Sequence, residues 1–401
     1  MNKDLIKVIL IPMATILLSG CYGMKSGSFR DGGGVGGDVY VEPDGSTGEE
    51  GDSSEEITIP AGQLTCSALD DNKYYDFWKK LNNQGEEGIF QEYRKSFGSS
   101  FNTFNRVKLT INNGSNAYVK LKDDGTIFHV DNLHNAYLFP KDNKEMYEVE
   151  IHYTDKNGNQ ASLETTVKDN DEIDLNNEFT LSNLLEIMFV IDATGSMGDE
   201  MSYIQAEIDD VIGKVKQDNP TSTVNLAMMV YRDKGDDYVT RYSDFTQDIA
   251  KQQEFLRKQS AGGGGDFEEA VDVALNEAIN KQWSANSTKL LFHVADAPAH
   301  DKDVSTWGAV TTIAASKGIK IITVAASGID KKTEFFFRSQ SLLTSGQYVF
   351  LTDDSGIGGS HEKATTEEPL VVEFLNACLI RLINGYHQGE FQDPVPWRQM
   401  Q

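Results

Sequence analysis

Residues 184–197 read LLEIMFVIDATGSM. Apart from Glu186 the first eight are apolar without alternation, the pattern of a strand buried on both faces. Polarity returns abruptly at Asp192, and Thr194 and Ser196 follow at once. Met197, Met201, Ile204, Ile208, Val211 and Val215 then recur every three or four residues, a helix stripe. The same alternation continues downstream. Residues 224–230, 290–295, 319–324 and 348–351 read as strands, and the face Ala270, Val271, Ala274, Leu275, Ala278 and Ile279 and residues 304–316 read as helices. A last helix spans 369–384, with Pro369 at its start and Gly385 at its end. Buried strands alternating with helices imply an α/β fold with an open, mostly parallel, doubly wound sheet over 184–385, followed by a tail at 386–401.

Upstream the texture differs. Between 104 and 177, alternating stretches at 106–111, 117–121 and 147–153 are separated by Asn113-Gly114, Asp124-Gly125 and Asn157-Gly158, which supply the positive φ of tight hairpins. This spacing predicts a small β-sandwich. Its stretch 135–140, NAYLFP, resembles the carboxypeptidase regulatory-like sandwiches of surface proteins. A chain starting near Asn176 is therefore expected to fold as an independent α/β unit. Residues 62–103 form a mixed helical segment, whose aromatic run 74–78 suits a packed core better than a carbohydrate platform. Residues 21–61, rich in Gly, Ser and acids, have almost nothing to bury and read as a flexible tether.

Residues 1–20 carry Lys3 and Lys7, then the apolar run 8–18, too short to span a bilayer as a helix. The segment reads as a signal peptide, with an uncleaved anchor as the alternative. Leu18-Ser19-Gly20-Cys21 resembles a bacterial lipobox, which implies cleavage before Cys21 and lipidation of its thiol. Several acyl chains on one cysteine hold a protein stably at a membrane. The resemblance thus implies a lipid anchor in the cell envelope, at the outer membrane or cell surface. Cys66 and Cys378 remain, free to pair in an oxidising compartment. A net charge of -26 excludes nucleic acid as a partner and electrostatic attachment to anionic lipid.

In a doubly wound sheet, ligands bind outside the carboxyl ends of the strands. Asp192, Thr194 and Ser196 follow one such end, Asp296 follows the strand 290–295, and Gly262–Gly265 lead into Asp266. These hard oxygen donors suit Mg²⁺, Mn²⁺ or Ca²⁺ rather than Zn²⁺. The order Asp-x-Thr-Gly-Ser-Met, glycine-rich entry, strand-end Asp resembles the metal-ion-dependent adhesion site of von Willebrand factor type A domains. That resemblance implies a Rossmann-like domain over 184–385. It also implies direct ligation by Thr194 and Ser196, with Asp192 and Asp296 holding the metal's waters and one position open to a partner. Two departures stand out: Thr194 replaces the commoner serine, and Asp266 stands where a threonine is expected. As a ligand, Asp266 would make three aspartates around a divalent ion, favouring a neutral oxygen from the partner or Ca²⁺ over Mg²⁺. Equally, Asp266 with Glu269 three residues on forms a capping box. His300, Arg232 and Asp233 are candidates to face a ligand, while His293, inside a buried strand, is read as core.

The function expected is metal-dependent binding of a protein or glycan. A metal-assisted hydrolase with Asp192 or His300 as base is the alternative, but no nucleophile–base–orienter set is visible, so the chain is read as no enzyme. A structural envelope lipoprotein whose metal only stabilises the fold is the third reading. The lipobox carries the first test. Cys21→Ser should move the protein from the membrane fraction to the soluble one, and unchanged retention with an intact amino terminus would reject the lipid anchor.

Overall fold

The apolar run becomes a strand over Leu184–Asp192, third in an eight-stranded sheet. The structure, a computed structural model, describes residues 59–83, 88–98 and 101–400. Cys21, the leader and nearly all of the tether lie outside the described residues. In chain order the elements open with β1 (Thr65–Leu69) and α1 (Tyr75–Leu81). Seven strands follow: β2 (Val107–Asn112), β3 (Ser115–Leu121), β4 (Ile127–His129), β5 (Asn135–Leu138), β6 (Tyr147–Thr154), β7 (Gln160–Val167) and β8 (Asp171–Asp174). Next come β9 (Leu184–Asp192), α2 (Met201–Asp218), β10 (Thr223–Tyr231), β11 (Thr240–Thr246), α3 (Ile249–Arg257) and α4 (Val271–Ile279). The chain ends through β12 (Thr288–Ala295), α5 (Val304–Ser316), β13 (Ile319–Ala325), α6 (Lys331–Leu343), β14 (Tyr348–Leu351), β15 (Glu373–Phe374) and α7 (Leu375–Gln388). Among the described residues no helix is long and apolar enough to cross a membrane.

The large sheet runs β11-β10-β9-β12-β13-β14-β1-β15, with β10, β9, β12, β13 and β14 mutually parallel. Side chains of β9 alternate between two cores. Ile187, Phe189 and Ile191 meet the apolar faces of α2 and α7, while Met188 and Val190 join α4, α5 and α6. Both faces are thereby covered, which is why the strand reads as a continuous apolar run. Upstream, β5-β2-β8 and β4-β3-β6-β7 form the two sheets of the sandwich, with inward residues alternating along β2, β3 and β6. The sandwich leans on the α/β layer where Gly318 lies against the His129 ring.

The structure departs from the sequence reading at the boundary between sandwich and α/β layer. The segment at 62–103 supplies β1, which lies antiparallel between β14 and β15, with Cys66 opposite both Leu351 and Glu373. The α/β unit therefore does not begin at 184. Without β1, the inner edge of β14 would present an unpaired row of backbone groups. Two charged fastenings hold this segment. The Glu207 carboxylate on α2 accepts N–H bonds from Gly62, Gln63 and Leu64 at 2.8, 2.7 and 3.0 Å. Arg338 on α6, wholly buried, grips Asp71 through Nε (2.9 Å) and Nη2 (2.6 Å), and its Nη1 donates to Glu334 at 2.8 Å. The aromatic run behind β1 is core: Trp78 stacks on Phe335 with centroids 5.9 Å apart. Cys66 and Cys378 are buried neighbours with free thiols, and burial first, then Cys378, pushes the Cys66 thiol up.

The last helix also differs from its sequence reading. It begins at Leu375, after β15, and passes through Gly385 to end at Gly389, whose φ of +77° makes the stop. Gly385 is small for another reason: a Cβ there would collide with the Phe391 ring.

Removing Asp71 leaves the buried Nε and Nη2 donors of Arg338 without acceptors while Glu334 still meets its charge, at a cost of about 3 kcal/mol for two charge-assisted hydrogen bonds. Asp71→Ala should therefore lower the unfolding free energy by that order in a urea titration. A chain starting at Asn176, lacking both Asp71 and β1, should show no cooperative transition.

Candidate metal centre

Because β10 and β12 flank β9, the chain leaves β9 to one side and later returns on the other. That reversal opens a crevice at the carboxyl ends of β9 and β12. Asp192 is the final residue of β9, and Asp296 directly follows β12. The Thr194 hydroxyl and N–H both donate to Asp192 Oδ1, at 2.7 and 2.9 Å, and Thr194 Oγ1 lies 3.3 Å from Ser196 Oγ. Ser196 lies close enough to Asp296 to pull its carboxyl's pKa down. The structure thus joins Asp192, Thr194, Ser196 and Asp296 in one chain of contacts.

Two neighbouring loops lock this one. Arg232 donates from Nε to Ala193 O (3.1 Å) and from Nη2 to Ser260 O (2.8 Å). Its guanidinium is spent on loop carbonyls, so it does not face a ligand as the sequence reading expected. Gly262 N–H bonds to Ala193 O at 3.0 Å and Gly195 N–H to Gly263 O at 3.2 Å. The Asp236 carboxylate accepts from Asp233 N (3.1 Å) and Gly264 N (2.9 Å). Gly263, at φ +78°, is required here, since a Cβ would run into that carboxylate.

The crevice holds a further buried acid, Glu269, which the sequence reading did not single out as a ligand. Glu269 is 2% exposed, and Gly264 separates it from Thr194: a Cβ at 264 would stand 3.0 Å from Glu269 Oε1 and 3.5 Å from Thr194 Cβ. Asp266 is exposed and gathers instead with Asp233 and His300, their ligand atoms within 4.8 Å of one another. It caps no helix, because Glu269 is drawn into a bridge with Ala299 and α4 starts only at Val271, with no side-chain cap. His300 Nε2 and Asp233 Oδ1 lie 2.8 Å apart, so these two expected ligand-facing residues pair with each other. His293 is core as read, bonded to Tyr231 and Gln340 at 3.1 Å each. Glu269 left one trace in the sequence: it is an acid set immediately before the apolar pair Ala270-Val271.

The electrostatics of the crevice are severe. Burial, then the charge of Asp296, pushes Asp192 up to about 7. Burial lifts Asp296 to about 6 against the pull of Ser196. Glu269 rises to about 9 through burial and then Asp192 and Asp233. Asp192 Oδ2, Asp296 Oδ1 and Glu269 Oε2 are buried without a hydrogen-bond partner. Among the described residues no Lys, Arg or His forms an ion pair with any of the three acids. Orphaned carboxylate oxygens beside two hydroxyls are the donor set of a hard divalent cation, and the residues present fit one.

A family model described as von Willebrand factor A domain matches residues 186–358. The chain is 25% identical over 189 residues to the alpha-protein kinase vwkA of Dictyostelium discoideum, covering 46% of this chain and 30% of that protein. It is 32% identical over 119 residues to a protein of Acanthamoeba polyphaga mimivirus named as ariadne-like RING finger, covering 30% of this chain and 12% of that one. The chain thus spans less than a third of either relative. Among solved structures, the conserved hypothetical protein BatB from Bacteroides thetaiotaomicron is 14% identical with a TM-score of 0.33, covering 41% of this chain and 89% of that chain.

A carboxyl whose pKa is raised by folding holds its proton longer in the folded state, so stability falls as pH rises from its unfolded value to its folded one. For Asp192 that window runs from about 4 to about 7. In EDTA, the melting temperature should therefore fall over this window relative to Asp192→Asn, whose amide cannot ionise. A difference between the two proteins that stays flat with pH would reject the crowded, unpaired acid.

Proposed function

With residues 186–358 forming a von Willebrand factor A domain, we propose that this chain is a metal-dependent binding protein of the bacterial cell envelope. It holds one divalent cation at the crevice, Mg²⁺ foremost, with Mn²⁺ or Ca²⁺ able to replace it. Thr194 and Ser196 bind through their hydroxyls. Asp192 and Asp296 sit behind them, and Glu269 takes the position that the sequence reading gave to Asp266. The ion supplies an electrophilic position at which an oxygen of a protein or glycan partner docks. Cys21 carries the lipid anchor, and the acidic tether holds the binding edge away from the bilayer.

One observation carries this reading: three buried carboxylate oxygens at the crevice, on Asp192, Asp296 and Glu269, have no hydrogen-bond partner. Such acids are destabilising unless something cationic meets them. The same geometry favours binding over hydrolysis. The Ser196 hydroxyl lies 3.3 Å from Thr194 Oγ1 and beside Asp296, and the nearby imidazoles of His300 and His361 are engaged by Asp233 and Glu200.

A ligand that binds only the folded state stabilises it by RT ln(1 + [L]/Kd), about 2.7 kcal/mol at a hundredfold excess. Mg²⁺ should raise the melting temperature and EDTA should reverse the rise. Ser196→Ala should abolish the shift without altering the metal-free fold. Glu269→Gln should weaken metal binding more than Asp266→Ala does. Calorimetry showing no saturable metal binding at millimolar concentrations and neutral pH would end the metal reading.

A further inference from the structure

Between β14 and β15 the chain makes a long excursion from the carboxyl edge of the sheet, over residues 352–372. Its second half is fixed to α6. Lys331 meets Glu362 at 2.6 Å, Arg338 Nη1 donates to Thr365 O at 2.8 Å, and Thr365 N donates to Glu334 at 2.8 Å. Its first half is a glycine-rich lobe, DDSGIGGSH over 353–361, in which Gly356 and Gly358 take φ of +69° and +80°. The lobe is fastened at its end, where Gly328 N–H bonds to Ser360 O at 3.1 Å and His361 reaches Glu200.

The His361 side chain is 3% exposed and stands between two carboxylates. Its Nε2 lies 2.8 Å from Glu200 Oε1 and its Nδ1 lies 2.9 Å from Asp353 Oδ1. Asp353 is exposed, whereas Glu200 is wholly buried between the 3₁₀ turn Gly195–Asp199 and α2. The second Glu200 oxygen accepts from Ser327 N at 3.2 Å. A Cβ at Gly358 would run into the Glu200 carboxylate, so the lobe packs directly on that acid. Among the described residues His361 is the one cation that pairs with Glu200. Other charges nearby have other partners: Asp354 leans to Arg398 and Glu362 to Lys331, while Lys363 and Glu368 line the same cleft as the ring.

An ionised carboxylate only accepts hydrogen bonds, and a neutral imidazole carries one N–H and one lone pair. A neutral His361 could therefore satisfy one of its two carboxylates and would turn a lone pair on the other. The imidazolium donates to both. We propose that His361 is a proton-controlled latch, closed as the imidazolium between Glu200 and Asp353 and released when the ring loses its proton, which frees the glycine lobe beside the crevice. Burial alone would push the ring down, but Glu200 and then Asp353 outweigh it and hold the ring above its ordinary value. His361 in return draws the Asp353 carboxyl down. A ring held up in this way adds stability that is complete below about 6.5 and is lost as pH rises through the raised value. Glu200 also bears on Asp296, so the latch sets the charge at the rim of the crevice as well as its shape.

The test uses the full chain in EDTA, so its outcome does not depend on the metal reading. Magnetic resonance titration of the histidine rings, with His361 assigned by the signal lost in His361→Gln, should place its pKa above the ordinary value of about 6.5. Asp353→Asn, which replaces an exposed acceptor, should lower that pKa and leave the fold intact. Hydrogen exchange in peptides covering 353–361, corrected for the intrinsic rate, reads how often the lobe opens. Opening should rise about three- to tenfold between about pH 6 and about pH 9 in the unsubstituted chain. In His361→Gln it should be high at both and independent of pH. A His361 pKa at or below the ordinary value would overturn the latch. So would lobe exchange that does not change with pH, or a pH dependence that survives in His361→Gln.

Discussion

Mutual repulsion among Asp192, Asp296 and Glu269 is the constraint around which the α/β half is arranged. All three are buried, and like charges in a low-dielectric site raise one another's pKa. Left alone, three short loops carrying these acids would spread apart. They are held by contacts of another kind: Arg232 ties the β9 loop to Ser260, and Asp236 ties the glycine run to the β10 loop. Backbone bonds between Ala193 and Gly262 and between Gly195 and Gly263 close the remaining gap. The acids themselves contribute no attraction to one another. The supporting shell holds the loops against that repulsion, which the proposed cation would relieve.

That shell stands on the sheet, and the sheet is completed from a distance. β1 reaches β14 and β15 across roughly 280 residues of intervening chain, a separation that makes the pairing slow to find. Local hydrogen bonding alone would secure a five-residue strand poorly. Arg338 and Glu207 fix it from α6 and α2, so each face of the sheet contributes one charged clamp. The sandwich, inserted between β1 and β9, is in consequence enclosed by the α/β unit in sequence.

Where periodicity was strong, the sequence was legible almost to the residue. The helix at 304–316 and the strand at 348–351 lie where the apolar pattern puts them. α6 escaped notice because every residue from Thr333 to Leu343 is buried, polar ones included, so the helix has no stripe. β11, an edge strand reading TRYSDFT, is too polar to stand out. The capping box at Asp266 misled because a bridge to Ala299 holds that stretch extended, a tertiary pairing that overrides local preference. Glu269, three residues on, is buried beside that bridge. For the loop after β9, residue order sufficed: Asp192, Thr194, Ser196 and Asp296 lie together in space.

Because β1 runs antiparallel to β14, its first residue lies at the carboxyl edge of the sheet, the edge that carries Asp192, Thr194 and Ser196. A pull between residue 62 and Ser196 would otherwise cross β14, β13 and β12 along their hydrogen bonds, the direction in which paired strands unzip bond by bond. Glu207 offers a shorter route. It grips Gly62, Gln63 and Leu64 directly and sits on α2, the helix that leaves the metal loop through the 3₁₀ turn at Gly195–Asp199. Tension entering at residue 62 thus passes through one carboxylate and a few helical turns, and the sheet bears little of the load.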